Sequence, residues 1–232
     1  MPKTAQAYIA LITLSGAAVM LLAARAWSPV GLQQFVVYLT LVALASTLKL
    51  RLPGLEGTIS PNFIFLMLAM TSCSFSQVVS MALAAALVQS LWAAKQPRLV
   101  QVAFSAATLM VSSAVAYELA HLMLAGTPVE SSVPLVLLAG SLYFPLNSAL
   151  VSIVIGLVSG QSLWQVMRRC HESVFRHFMG GLIFAALISS AYSTATPWRG
   201  AVILLPVVLL AYFYHRQRQT GAAALPRSQA AD

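Results

Sequence analysis

Eight apolar segments, separated by polar or Pro/Gly-containing breaks, fall at 8–26, 31–50, 62–76, 77–94, 99–124, 133–158, 179–196 and 200–214. Crossing a bilayer takes ~20 consecutive apolar residues, and most of these segments approach that length. Such a chain cannot hide its apolar surface in a core of its own in water. Hydrophobic residues make up 59% of it and charged residues 8%, against about 45–50% and about 25% in soluble domains. In lipid, every backbone N–H and C=O must bond within its own element, which helices achieve. The strict alternation of barrel strands is absent. The expected fold is an all-α integral membrane protein: one polytopic domain over 1–214, a bundle of about eight transmembrane helices. Residues 215–232 read as a disordered cytoplasmic tail, polar and without an apolar period.

The charges orient the bundle. With eight crossings and the N-terminus inside, eleven of the thirteen basic residues lie on the cytoplasmic side, and only Arg25 and Arg199 lie outside. The positive-inside rule demands that asymmetry. It places the chain in the cell inner membrane with both termini cytoplasmic, and it assigns the basic loops to anionic lipid headgroups rather than to nucleic acid. Trp27, Trp92, Trp164 and Trp198 fall at span ends, as an aromatic belt does. Lys3, an apolar stretch and Ala24-Arg25-Ala26 mimic a signal peptide, but the apolar part exceeds the usual h-region of about 7–15 residues. Retention as a first span is expected.

The segment from Asn62 is short. Ser60-Pro61 suits a helix start, with Ser as cap and Pro at the first helical position. A helix from Asn62 to Ser76 is ~22 Å long, less than the ~30 Å of hydrocarbon. Polar TSCSFSQ then stands where a turn belongs. Two structures fit: a pair of thin crossings, or six spans plus a re-entrant hairpin. Both need shielding by neighbouring helices.

Residues 161–178 alternate apolar Leu163, Trp164, Met167, Val174, Phe175 and Phe178 with Arg168, Arg169, Glu172 and Arg176, after a Ser162–Gln165 capping box. This is the pattern of an amphipathic helix lying on the cytoplasmic leaflet before the span at 179–196. Small residues recur every fourth position at Ser148, Ser152 and Gly156, and at Gly181, Ala185, Ser189 and Ser193. They allow close helix approach within one bundle, or along a homodimer seam.

Glu118 is the one carboxylate inside an expected span, with His121 one turn on. Intramembrane ionisable groups mark function by default, unless the residue sits in the headgroup zone. Ser105, Thr108 and Ser112 follow one stripe of the same helix, and Tyr117 and His121 follow another. Tyr143 and Asn147 flank Pro145, whose ring frees a backbone carbonyl. With Asn62 they form a candidate polar pocket for a small uncharged or weakly charged ligand; the alternative is that they serve as interhelical glue. Catalytic signatures such as HExxH, GxSxG or a Walker loop are absent, so no enzyme is expected. Cys170, His171 and His177 lack a fourth metal ligand, and no CxxC links the two cysteines. Neither metal nor cofactor is expected.

LKLRLPGLEGTISPNFIFLMLAM (48–70) resembles bacterial multi-span membrane sensory modules that precede HD-GYP phosphohydrolase or GGDEF cyclase domains. In those a span ends in a basic-Pro-Gly loop and a Thr/Ser-rich start opens a short apolar helix. Lys95-Gln96-Pro97-Arg98 before Val102-Ala103-Phe104-Ser105 is similar to them too, though that family often has Phe-Asn where Phe104-Ser105 stands. The resemblance covers residues 31–125. No output domain follows the last span in this sequence. It therefore implies a non-enzymatic sensory, ligand-binding or scaffold module whose signalling partner is a separate polypeptide. The alternative function is a small-solute transporter component, the substrate-binding membrane subunit of an importer working with an ATPase polypeptide. No inverted repeat between halves supports a self-contained carrier.

Overall fold

A computed structural model describes residues 1–51, 58–92, 98–126, 132–191, 199, 201–203, 205–209 and 212. Seven helices carry it: α1 (Lys3–Arg25), α2 (Leu32–Thr47), α3 (Asn62–Ala69), α4 (Phe75–Trp92), α5 (Leu99–Leu124), α6 (Val133–Ser159) and α7 (Leu163–Ala191). Residues 201–203 and 205–209 are also helical. Between α2 and α3, β1 (Leu50–Arg51) pairs antiparallel with β2 (Thr58–Ile59), Leu50 opposite Ile59 and Arg51 opposite Thr58. The expected tail and the Lys95-Gln96-Pro97 step lie outside the described residues.

Among the described residues, five stretches are long and apolar enough to cross a membrane: α1, α4, α5, α6 and the Val174–Ala191 part of α7. Their outward side chains are apolar, among them Leu11, Leu14 and Leu21 of α1 and Leu122 and Met123 of α5. Lipid supplies the missing contacts. Trp27, Trp92 and Trp164 are exposed at helix ends.

Side-chain contacts define two poles. At one, Tyr8 near the start of α1 meets Phe104 near the start of α5 and donates to the Leu150 carbonyl late in α6. Asn62 Nδ2 donates to Ser46 Oγ at the end of α2, and Lys49 Nζ donates to the Gln89 carbonyl of α4 over 2.5 Å. Partial burial holds the Lys49 pKa below the usual lysine value. At the opposite pole the α3–α4 turn meets the α1–α2 connection and the end of α5, and Ser132 and Ser189 join α6 to α7 through their hydroxyls. Successive helices therefore run back and forth between the poles. Lys3, Lys49, Arg98 and Arg168 gather at the first pole, and Arg25 stands at the second.

Helix α3 is the axis. All eight of its residues are buried, including Phe65, Met67 and Leu68 at 0–1% exposure. It packs against α2, α4, α6 and α7. Close approach depends on small residues. A Cβ on Gly181 of α7 would fall 2.5 Å from the Phe63 ring, and one on Gly16 of α1 would fall 2.5 Å from the Ala107 Cβ of α5. Phe63 stacks on Phe178 at 4.6 Å, and Phe144 of α6 stacks on the same ring.

Three local expectations are corrected. The short helix ends at Ala69, ~12 Å long rather than ~22 Å, and α4 begins at Phe75. Ser60 does not cap it: Pro61 occupies the cap position without a side-chain bond, and the Ser60 hydroxyl turns to the Ser46 carbonyl. The amphipathic stretch is no separate surface helix, because α7 is continuous from Leu163 to Ala191 through Gly180 and Gly181. The buried stripe explains the continuity: Phe178, Leu182, Ala185 and Ser189 repeat at three and four residues across the glycines.

Candidate functional site

A polar, partly buried turn closes α3 onto α4. Backbone groups freed by the end of α3 bond inside it: Thr71 Oγ1 donates to the Leu68 carbonyl and the Cys73 N–H to the Ala69 carbonyl. Ser74 and Gln77 then cap α4 reciprocally. Ser74 Oγ accepts the Gln77 N–H at 3.4 Å, and Gln77 Oε1 accepts the Ser74 N–H at 3.0 Å. The remaining Gln77 amide, 1% exposed, donates to the Val30 carbonyl at 2.8 Å.

Two aromatic residues complete the site. Tyr117 of α5 donates its hydroxyl to the Cys73 carbonyl, 3.3 Å away, and lies edge-on to Phe75. His121 tilts against the Tyr117 ring at 4.1 Å, and its Nδ1 lies 2.8 Å from the Tyr117 carbonyl. Tyr38 of α2 is wholly buried. Its hydroxyl faces that of Ser72 within hydrogen-bonding influence, with Cys73 nearby, but the contact falls outside ordinary hydrogen-bond geometry and neither oxygen has another partner. Buried hydroxyls without a well-formed partner are costly, and two of them stand beside this one turn.

The residues singled out from sequence fall into three places. Tyr117 and His121 stand together at this turn, with Glu118 exposed beside them on α5. Asn62 sits at the other end of α3, bonded to Ser46. The rest line α5 and α6 in between. Thr108 bonds back to the Phe104 carbonyl, Ser105 is half-buried, and Ser112 is buried with its hydroxyl unpartnered. Tyr143 stacks on Phe178 at 6.3 Å, and Asn147 Oδ1 is buried without a partner. Sequence reasoning missed Tyr38 and Gln77. Gln77 carried a readable signal, the Ser-x-x-Gln capping box; Tyr38, a lone tyrosine in an apolar span, carried none. No group of three His, Cys, Asp or Glu side chains able to hold a metal occurs among the described residues.

The MASE9 family model matches residues 9–217. The chain belongs to the MASE9 family. MASE domains are multi-span membrane-associated sensory domains, and a bundle of apolar helices around a buried polar turn suits that class. The likeness to membrane sensory modules read from residues 48–70 therefore holds for the sensory, multi-pass character of this MASE9 chain. No curated protein and no solved structure matches it.

Proposed function

We propose that this MASE9 chain is a non-enzymatic sensory module of the inner membrane that receives a small hydrogen-bonding ligand at the α3–α4 turn. It acts on a separate signalling polypeptide, such as one carrying a GGDEF or HD-GYP domain. The observation that carries this reading is a pair of buried hydroxyls, Tyr38 of α2 and Ser72 of the turn, that face each other without a hydrogen bond of ordinary geometry, at a turn tied to α5 and the α1–α2 connection. Tyr117 and His121 form its other wall. Membership of a sensory rather than catalytic family supports the absence of an enzymatic role.

Eight crossings with both ends cytoplasmic agree best with the two poles. The turn shares the pole of the α1–α2 connection while Asn62 shares that of Ser46, so residues 60–74 cover the same distance as α2. That favours two thin crossings over a re-entrant hairpin. The basic residues cluster at the Asn62 pole, which becomes the cytoplasmic one.

The test is cellular. In cells that make the chain, the level of the cyclic nucleotide produced by GGDEF cyclases is compared among wild type, a deletion, and a Tyr38→Phe/Ser72→Ala variant that still reaches the membrane. Deletion and variant should shift that level together. A variant indistinguishable from wild type, beside a deletion that does shift the level, removes the turn from the account.

A further inference from the structure

A groove of about 250 Å³ opens between α3, α7 and the helical residues 205–209. Ile64, Gly180, Gly181, Phe184, Val207 and Val208 line it, and none of these side chains carries a polar atom. A water inside would need about two to four polar partners, which the walls do not offer. Hydrocarbon is the filling that such a groove in a membrane bundle accepts. The groove is open at Gly180, where a Cβ would meet nothing within 4 Å, so only a larger side chain there would fill it.

The mouth of the groove is charged. Arg176 precedes Gly180 by one helical turn and shares its row on α7, and Phe184 continues that row. Its side chain is exposed, and helical side chains lean toward the N-terminus, here the basic pole. Arg168 lies two turns below on the same row, with Arg169 beside it and Glu172 between, so residues 168–176 carry a net positive charge. From Ser189, which meets Ser132 at the far pole, Arg176 lies thirteen positions back along α7, ~20 Å at 1.5 Å per residue. Within ~30 Å of hydrocarbon this leaves its backbone inside the inner leaflet, where an arginine needs an anion and snorkels to reach one.

We infer that the α3–α7 groove binds one acyl chain of an anionic phospholipid whose phosphate is held by Arg176. Charge and apolar surface meet here in the order that a lipid presents them, phosphate toward the basic pole and chain toward the interior. The site rests on the membrane orientation proposed above. It lies on the opposite side of α3 from Ser46 and near the cytoplasmic leaflet, so the lipid is distinct from the ligand of the outer turn. Because Ile64 is shared between the groove and α3, an occupied groove also buttresses the axis of the bundle.

The experiment is lipid retention by the full-length protein, purified in detergent and read by native mass spectrometry. The probes are phosphatidylglycerol, phosphatidylcholine, inorganic phosphate and a single-chain alkyl phosphate. Wild type should retain phosphatidylglycerol over phosphatidylcholine by about fivefold, the preference expected of one well-placed arginine. It should also bind the alkyl phosphate, and should not hold inorganic phosphate. Arg176→Gln should lose the headgroup preference, whereas Lys3→Gln, at a distant basic residue, should keep it. Gly180→Leu should reduce retention of both lipids, and Gly180→Ala should reduce it less. Equal retention of both lipids by wild type, equal loss from Arg176→Gln and Lys3→Gln, or full retention by Gly180→Leu would overturn the site. Retention of inorganic phosphate alone would reduce it to a surface anion contact and overturn it as well. Tyr38→Phe should retain the lipid like wild type, so failure of the sensory turn and failure of this groove are read separately.

Discussion

Gln77 of α4 bonds the Val30 carbonyl across 47 positions of chain while its other end caps its own helix against Ser74. One amide thus fixes both where α4 starts and where the α1–α2 connection rests. The Gln77 side chain itself is buried, whereas Ser74 is half-buried and Val30 exposed.

Gln77→Leu therefore strips two side-chain bonds while keeping side-chain bulk. Thermal unfolding in detergent should show a loss of about 1–3 kcal/mol, two hydrogen bonds at about 0.5–1.5 kcal/mol each. Ser74→Ala removes the cap and the contact with the Ser76 hydroxyl but leaves the Val30 bond, and should cost about 1 kcal/mol. Equal losses for the two would mean that the Val30 contact contributes nothing.

Two glycines predict opposite signs. At Gly16 a Cβ would lie 2.5 Å from the Ala107 Cβ and 2.6 Å from its Cα, backbone that cannot rotate aside. Gly16→Ala must push α1 off α5, a cost of about 1–3 kcal/mol. At Gly180 nothing stands in the way, so Gly180→Ala should gain up to about 1 kcal/mol through helix propensity. Melting temperatures of the two variants, in one detergent, should move apart.

How far the sequence foretold this structure depends on what kind of signal each element carried. Helices α1, α5 and α6 were legible because long apolar runs with charged or Gly/Pro ends leave few alternatives. The end of α3 was not, since FIFLMLAM stays apolar past Ala69 and the turn is enforced by bonds from Thr71 and Cys73 that no periodicity announces. The change from amphipathic to apolar pattern after Phe178 read as the boundary between a surface helix and a span, whereas the buried stripe carries α7 straight through it. Within the candidate site, Tyr117 and His121 were visible as a polar stripe on α5. Tyr38 was invisible because its meaning lies in the missing partner, a property of the packed bundle alone. Glu118 drew notice as a lone carboxylate and stands exposed.

Membrane placement has its own test. In a variant whose native cysteines are replaced, single cysteines at Lys95, Thr71 and Glu130 are reacted with a membrane-impermeant maleimide added from outside. Thr71 and Glu130 should react, and Lys95 only after permeabilisation. Labelling of Thr71 from the cytoplasmic side would restore the re-entrant hairpin.

Tyr38 offers the sharpest separation of stability from function. Its hydroxyl is buried and faces the Ser72 hydroxyl, but the two make no hydrogen bond of ordinary geometry. If the hydroxyl waits for a ligand, the empty protein bears the penalty of holding it dry. Tyr38→Phe removes the oxygen and keeps the ring that packs the core, so the ligand-free variant should unfold later than wild type, by up to about 1–3 kcal/mol. The cellular output should fall in the same variant. That pairing of added stability with lost output is the signature of a strained receptor site. If Tyr38 instead bonds Ser72 as ordinary structural glue, the sign reverses and the variant melts earlier. Unfolding temperature alone, measured before any ligand is known, decides between the two.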